Sequence, residues 1–204
     1  MDPRAMAAAR GTRLEYLTIG WNLLEGVVAV IAGVLAGSIA LLGFGLDSAI
    51  EVFSGAVILW RLRPVRASSQ KAEQLAVRLV GASFIALAAY IVYDAVDSLL
   101  RHDAPQESVP GIILAAASLI AMPLLARAKR RVARDLNSGA MQADSRQTDF
   151  CAYLSAILLA GLLLNAFLGW WWADPVAALV MVPLVTSEGA KGLRGRVCCD
   201  GPAC

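Results

Sequence analysis

The chain has 204 residues, 58% of them hydrophobic and only 17% charged, and 18 Lys and Arg against 16 Asp and Glu give a formal net charge of +2. An ordinary soluble domain runs nearer half apolar and a quarter charged, so the composition excludes one and points to an integral membrane protein. No basic tract is interleaved with aromatics as in a nucleic-acid binder, and the apolar run after the Ala-rich, basic start is of spanning rather than signal-peptide length.

A spanning helix needs about 20 mostly apolar residues, and six such segments follow in order: Leu14 to Leu35, Ser38 to Trp60, Leu75 to Leu100, Val109 to Ala126, Ala140 to Leu168 and Asp174 to Ala190. The expected fold class is therefore an all-α membrane protein of six transmembrane helices. It divides into a tail over 1–13, a membrane domain over 14–190 and a short Cys-containing tail over 191–204. Gly37 and Ser38 make a tight link between the first two spans. Asn137, Ser138 and Gly139 break the chain before the fifth, and Asp174 followed by Pro175 reads as the cap and first turn of the sixth.

Short loops rich in Lys and Arg stay cytoplasmic. Arg4, Arg10 and Arg13 precede the first span; Arg61, Arg63, Arg66 and Lys71 follow the second; Arg127, Lys129, Arg130, Arg131 and Arg134 follow the fourth; Lys191, Arg194 and Arg196 follow the sixth. The opposite loops hold only Arg101 among such residues. This pattern places both termini in the cytoplasm, with Trp170, Trp171 and Trp172 as an outer interfacial belt and Trp21 and Trp60 toward the inner side.

Three carboxylates interrupt the apolar spans. Glu25 falls near the middle of span one, and Asp47 and Glu51 straddle the middle of span two, one helical turn apart on one face. A charged side chain at mid-bilayer costs on the order of 3 kcal/mol even on the milder insertion scales, so a bound cation or shared protons must offset the cluster. The competing reading is a set of protonated acids that hydrogen-bond across helices.

In span five, Gln147 and Cys151 share the same i, i+4 spacing, with Asp144 near their face at the cytoplasmic end and Asp149 turned elsewhere. Carboxylates, an amide oxygen and a thiolate make a four-ligand set, and the soft thiolate favours zinc or another later transition metal. A Gln near a helix start and a Cys in an apolar run also have ordinary structural uses. Asn22, one turn from Glu25, fits either an orienting role or an interhelical hydrogen bond. Asp94 and Asp97, near Tyr93, fit an exit vestibule with His102 and Asp103 or, more simply, a solvated helix end. Asn165 and Asp174 read as packing and cap residues, and Gly26, Ala29, Gly33, Gly43, Ser54 and Gly55 suit close helix contacts. Cys198, Cys199 and Cys204 end a basic tail in a reducing compartment, where bridging is not expected.

The run from Ser38 to Glu51 resembles the second transmembrane helix of cation diffusion facilitator transporters, in which an acid or His is followed by another acid four residues on. The stretch Ala143 to Cys151 resembles the fifth helix of that family, and Asp174 to Leu179 the start of the sixth. The resemblance implies a transport site on Asp47, Glu51, Gln147 and Cys151, with Gln and Cys standing where the family commonly has His and Asp. Glu25 is an added candidate ligand or supporting acid. The family's cytoplasmic domain has no counterpart in the expected layout, which resembles a short membrane-domain-only branch, some members of a vesicular zinc-binding type.

The implied function is export of a divalent cation, zinc foremost, in exchange for protons, through a protein that is not an enzyme and needs no cofactor beyond its metal cargo. The expected partners are the metal, protons, the lipid of the cell membrane and, by resemblance, a second copy of the chain; no nucleic acid is expected. Two alternatives are a proton-coupled exporter of organic cations, which should have an aromatic-lined pocket although aromatics are only 7%, and a membrane metal sensor that binds through the tail cysteines.

Overall fold

The computed structural model describes residues 3–61, 70–102, 105–136 and 139–194, and the tail with Cys198, Cys199 and Cys204 lies outside them, as does Asp103. Six helices account for the described chain: α1 (Pro3–Ala36), α2 (Ile39–Arg61), α3 (Gln70–Arg101), α4 (Val109–Leu136), α5 (Gly139–Leu168) and α6 (Ala173–Leu193). All six contain a stretch long and apolar enough to cross a bilayer. The chain is a multi-pass integral membrane protein.

Two helices run well past the expected spans. Ala5, Ala7, Ala8 and Ala9 are strong helix formers and carry α1 back to Pro3. In α4 the stretch from Arg127 to Leu136 stays helical because Lys, Arg and Ala favour helix and because one face of it is buried. Lys129, Val132 and Ala133 are enclosed there, the last two packing with Met141 and Leu14.

The most extensive helix pairs are α1 with α2, α4 with α5, and α3 with α6. α1 also packs on α4 and α2 on α5, closing a four-helix ring, while the α3–α6 pair flanks the ring through α2 and α5. Leu41, Phe44, Ile91, Leu154, Leu158 and Met181 form the centre of the core. Without a hydrophobic driving force between helices in lipid, close backbone approach through small residues holds such pairs together. Gly81 shows the requirement: a Cβ there would stand 2.6 Å from Leu193 N and 2.8 Å from Gly189 O.

The links α1–α2, α3–α4 and α5–α6 gather at one end of the bundle. Gly37 turns the first link at φ 66°, Gln106 N donates to Ala36 O at 2.7 Å, Asn165 Nδ2 donates to Pro105 O at 3.1 Å, and the His102 and Trp171 rings lie 4.8 Å apart. Trp170 and Trp172 stack at this end, their rings 4.9 Å apart. The opposite end, here the N-terminal face, holds the start of α1, the Arg-rich end of α4 and the start of α5.

Two assignments change. Asp174 does not cap its own helix: α6 begins after Trp172, which supplies no side-chain cap. The Asp174 carboxylate instead receives Ser38 Oγ at 2.5 Å, Ile39 N at 2.8 Å and Ala40 N at 3.4 Å, closing the N-terminus of α2. Trp21 is not an inner-interface anchor either, because its Nε1 donates to Ser118 Oγ at 3.0 Å, inside the bundle. The Trp60 side chain is outside what is described.

Candidate metal centre

α2 brings Asp47 and Glu51 to one face, and α5 brings Cys151 against them. One ligand atom from each of the three lies within 4.8 Å of the other two, and all three residues are buried, Asp47 at 1% exposure, Glu51 at 6% and Cys151 at 0%. Both oxygens of Asp47 and Oε1 of Glu51 are buried with no hydrogen-bond partner among the described residues. Glu51 Oε2 accepts from Asn22 Nδ2 at 2.6 Å, which fixes the carboxylate and leaves its other oxygen turned free. Buried acceptors without donors are costly, and a cation or a proton is what such a set can take up. Zinc bonds to carboxylate oxygen at about 2.0–2.2 Å and to thiolate at about 2.3 Å, which puts tetrahedral ligands about 3.5 Å apart, so a small contraction of this cluster completes three corners.

Gln147, one turn before Cys151, reaches α2 one turn beyond Glu51: its Oε1 accepts from Ser54 Oγ at 3.2 Å, while Nε2 is buried without a partner among the described residues. A reversed amide keeps the Ser54 contact, with Nε2 donating, and frees the oxygen; amide orientation is assigned from such networks.

Glu25 sits beside the cluster but is already engaged. Ser118 Oγ donates to its Oε1, Ser48 Oγ donates to Oε2 at 3.3 Å, and Cys151 Sγ stands 3.9 Å from Oε2. The structure thus groups Asp47, Glu51 and Cys151, sets Gln147 one turn away and places Glu25 behind the thiol. Asp149 faces elsewhere, paired with Arg130. Asp97 pairs with Arg101 at 2.8 Å, as expected of a solvated helix end.

Asn22 and Glu25 were read in the sequence, but Glu15, Thr18, Ser48 and Ser118, which accompany them, were not. Glu15, Thr18, Asn22 and Glu25 form one buried stripe on α1 at helical spacing, and Lys129 of α4 is fully enclosed between Glu15 and Asp144. The i, i+3, i+7, i+10 period from Glu15 was the available signal. Ser48 and Ser118, which hold Glu25, carried no sequence signal.

The cation efflux transmembrane domain matches residues 16–194. An uncharacterised transporter of Synechocystis is 31% identical over 182 residues, 85% of this chain and 59% of the relative. A cadmium, cobalt and zinc/H(+)-K(+) antiporter of Bacillus velezensis is 28% identical over 198 residues, 89% of this chain and 61% of the relative. Transmembrane protein 163 of Xenopus laevis is 27% identical over 192 residues, 90% of this chain and 66% of the relative. The chain thus spans about six-tenths of the length of the curated relatives it matches. With the family domain covering nearly all of six membrane-spanning helices, this chain belongs to the cation efflux family of transporters.

Proposed function

We propose that the protein carries a divalent cation, zinc foremost, outward from the cytoplasm in exchange for protons, with Asp47, Glu51 and Cys151 as ligands and Gln147 as the fourth. The observation that carries this reading is the buried cluster in which three carboxylate oxygens have no donor of their own beside a thiol. Metal binds when these groups are deprotonated and leaves when they are protonated, so alternating access couples the two flows. Glu25, with both oxygens held by hydroxyls, serves as a positioning acid for the Cys151 thiol rather than as a ligand. A relative described as an antiporter of cadmium, cobalt and zinc supports the cargo class. The Arg-rich N-terminal face supports cytoplasmic termini, and the membrane unit of this reading is residues 14–190, with a homodimer as the working assembly.

The test is zinc uptake into proteoliposomes against an imposed pH gradient. Asp47→Ala and Glu51→Ala are each expected to reduce uptake to background, and normal uptake in either would overturn the assignment. Competition by zinc or cadmium, but not by quaternary ammonium compounds, is expected of a metal site.

A further inference from the structure

Lys129, two turns from the C-terminal end of α4, has no exposed surface. Its Nζ stands 2.5 Å from Asp144 Oδ2 of α5 and 3.3 Å from Glu15 Oε2 of α1, so three helices meet at one ammonium. With both acids ionised, the two carboxylates carry one more charge than the ammonium balances, and Glu15 Oε1 is buried with no partner among the described residues. A buried ion pair contributes little stability over apolar residues of the same volume, which leaves these charges without a packing rationale.

Their position supplies one. Glu15 lies ten residues before Glu25 on the buried stripe of α1, about 15 Å along the helix toward the N-terminal face. A Cβ on Gly55 would stand 3.7 Å from Glu15 Oε2, and Gly55 is one turn from Glu51 on α2. Asp144 is two turns before Cys151 on α5, with Gln147 between them. Between the N-terminal face and the metal cluster, two carboxylates therefore face one point, and that point holds a positive charge on a flexible four-carbon stem. A divalent cation in the ammonium's place balances both carboxylates and gives Glu15 Oε1 a partner.

We propose that Glu15 and Asp144 form a second divalent-cation site on the route to the Asp47, Glu51 and Cys151 cluster, and that Lys129 is its tethered occupant, displaced when metal passes and restored behind it. The direction of travel rests on the transport reading above; the site itself does not.

Zinc content after equilibrium dialysis, read by elemental analysis, tests the site in full-length protein carrying Cys198→Ser, Cys199→Ser and Cys204→Ser. Lys129→Met is expected to bind one more zinc per chain than its parent, and adding Glu15→Gln to remove that extra ion. The same increment is expected with the cluster disabled by Asp47→Asn and Glu51→Gln, so a cluster that fails to bind zinc and a second site that fails to bind it register separately. An unchanged zinc count in Lys129→Met that retains its helical circular dichroism overturns the proposal. Should Lys129→Met not fold, Glu15→Gln alone decides: uptake at least ten-fold slower with unchanged equilibrium zinc content supports the site, and unchanged uptake refutes it.

Discussion

Asp174 and Asp47 are the same residue type, each 1% exposed inside an apolar helix, and their surroundings are opposite. Asp174 receives the Ser38 hydroxyl and two backbone N–H groups at the start of α2, where the helix dipole also favours a negative charge. Asp47 receives nothing from the described residues, and Glu51 beside it is only half satisfied. A buried carboxylate whose donors are built into the fold is structural. One without donors needs a cation or a proton from outside, which is what a transport site requires.

The sharpest way to break that contrast is to neutralise each acid in turn. Asp47→Asn is expected to lower zinc transport by more than 100-fold while leaving thermal stability in metal-free detergent unchanged or raised, because an uncompensated buried charge is removed. Asp174→Ala is expected to do the reverse. It strands a hydroxyl and two N–H groups at α2, each buried donor costing about 1–3 kcal/mol, so yield and melting temperature fall while uptake per folded molecule is largely kept. Uptake and melting curves on both variants check this, and a stability loss at Asp47 with normal uptake would reverse the two roles.

The same contrast marks what could be read from sequence. Asp47 and Glu51 were legible because acids in a spanning segment are rare and their i, i+4 spacing fixes a shared face whatever surrounds them. Six spans and the tight turn at Gly37 were legible for the same reason, since length, hydropathy and glycine chemistry are local. Asp174 was misread because an Asp followed by Pro is a good local cap signal, and only the α5–α6 link meeting the α1–α2 link reveals that it serves another helix. Lys129 was counted with its basic neighbours in a cytoplasmic loop after the fourth span; its burial depends on Glu15 and Asp144 arriving from two other helices. Which polar side chains are satisfied is a tertiary property, and it separates the two aspartates.

Cys151 sharpens the ligand side of the comparison. Thiolate softness favours cadmium and zinc over harder ions, so Cys151→Ser is expected to cut cadmium transport about ten-fold or more and zinc transport less. Equal losses for both metals would remove Cys151 from the first coordination sphere. Proton bookkeeping gives a further check on the same residue. Binding of metal to a thiol and buried acids releases protons, so zinc affinity falls as pH falls. Calorimetry in buffers of different ionisation enthalpy is expected to show at least one proton released per zinc in the parent and fewer in Cys151→Ser; zero release in the parent would exclude proton exchange at this cluster.

Glu25 lies between the two extremes, and the smallest effect is expected there. Its Oε1 takes the Ser118 hydroxyl, which in turn accepts the Trp21 indole N–H, and its Oε2 takes Ser48 while facing Cys151 Sγ at 3.9 Å. Ser118→Ala removes one donor from the carboxylate and strands the indole, for a stability loss of about 1–2 kcal/mol. If Glu25 only positions the thiol, zinc affinity measured by competition with a chromophoric chelator falls about three-fold, and the pH dependence of binding keeps its slope. If Glu25 were itself a ligand, freeing Oε1 would make it a better one, and affinity would rise. The sign of that change therefore assigns Glu25 to one side of the comparison: with Asp174 as a satisfied acid, or with Asp47 as one that meets the metal.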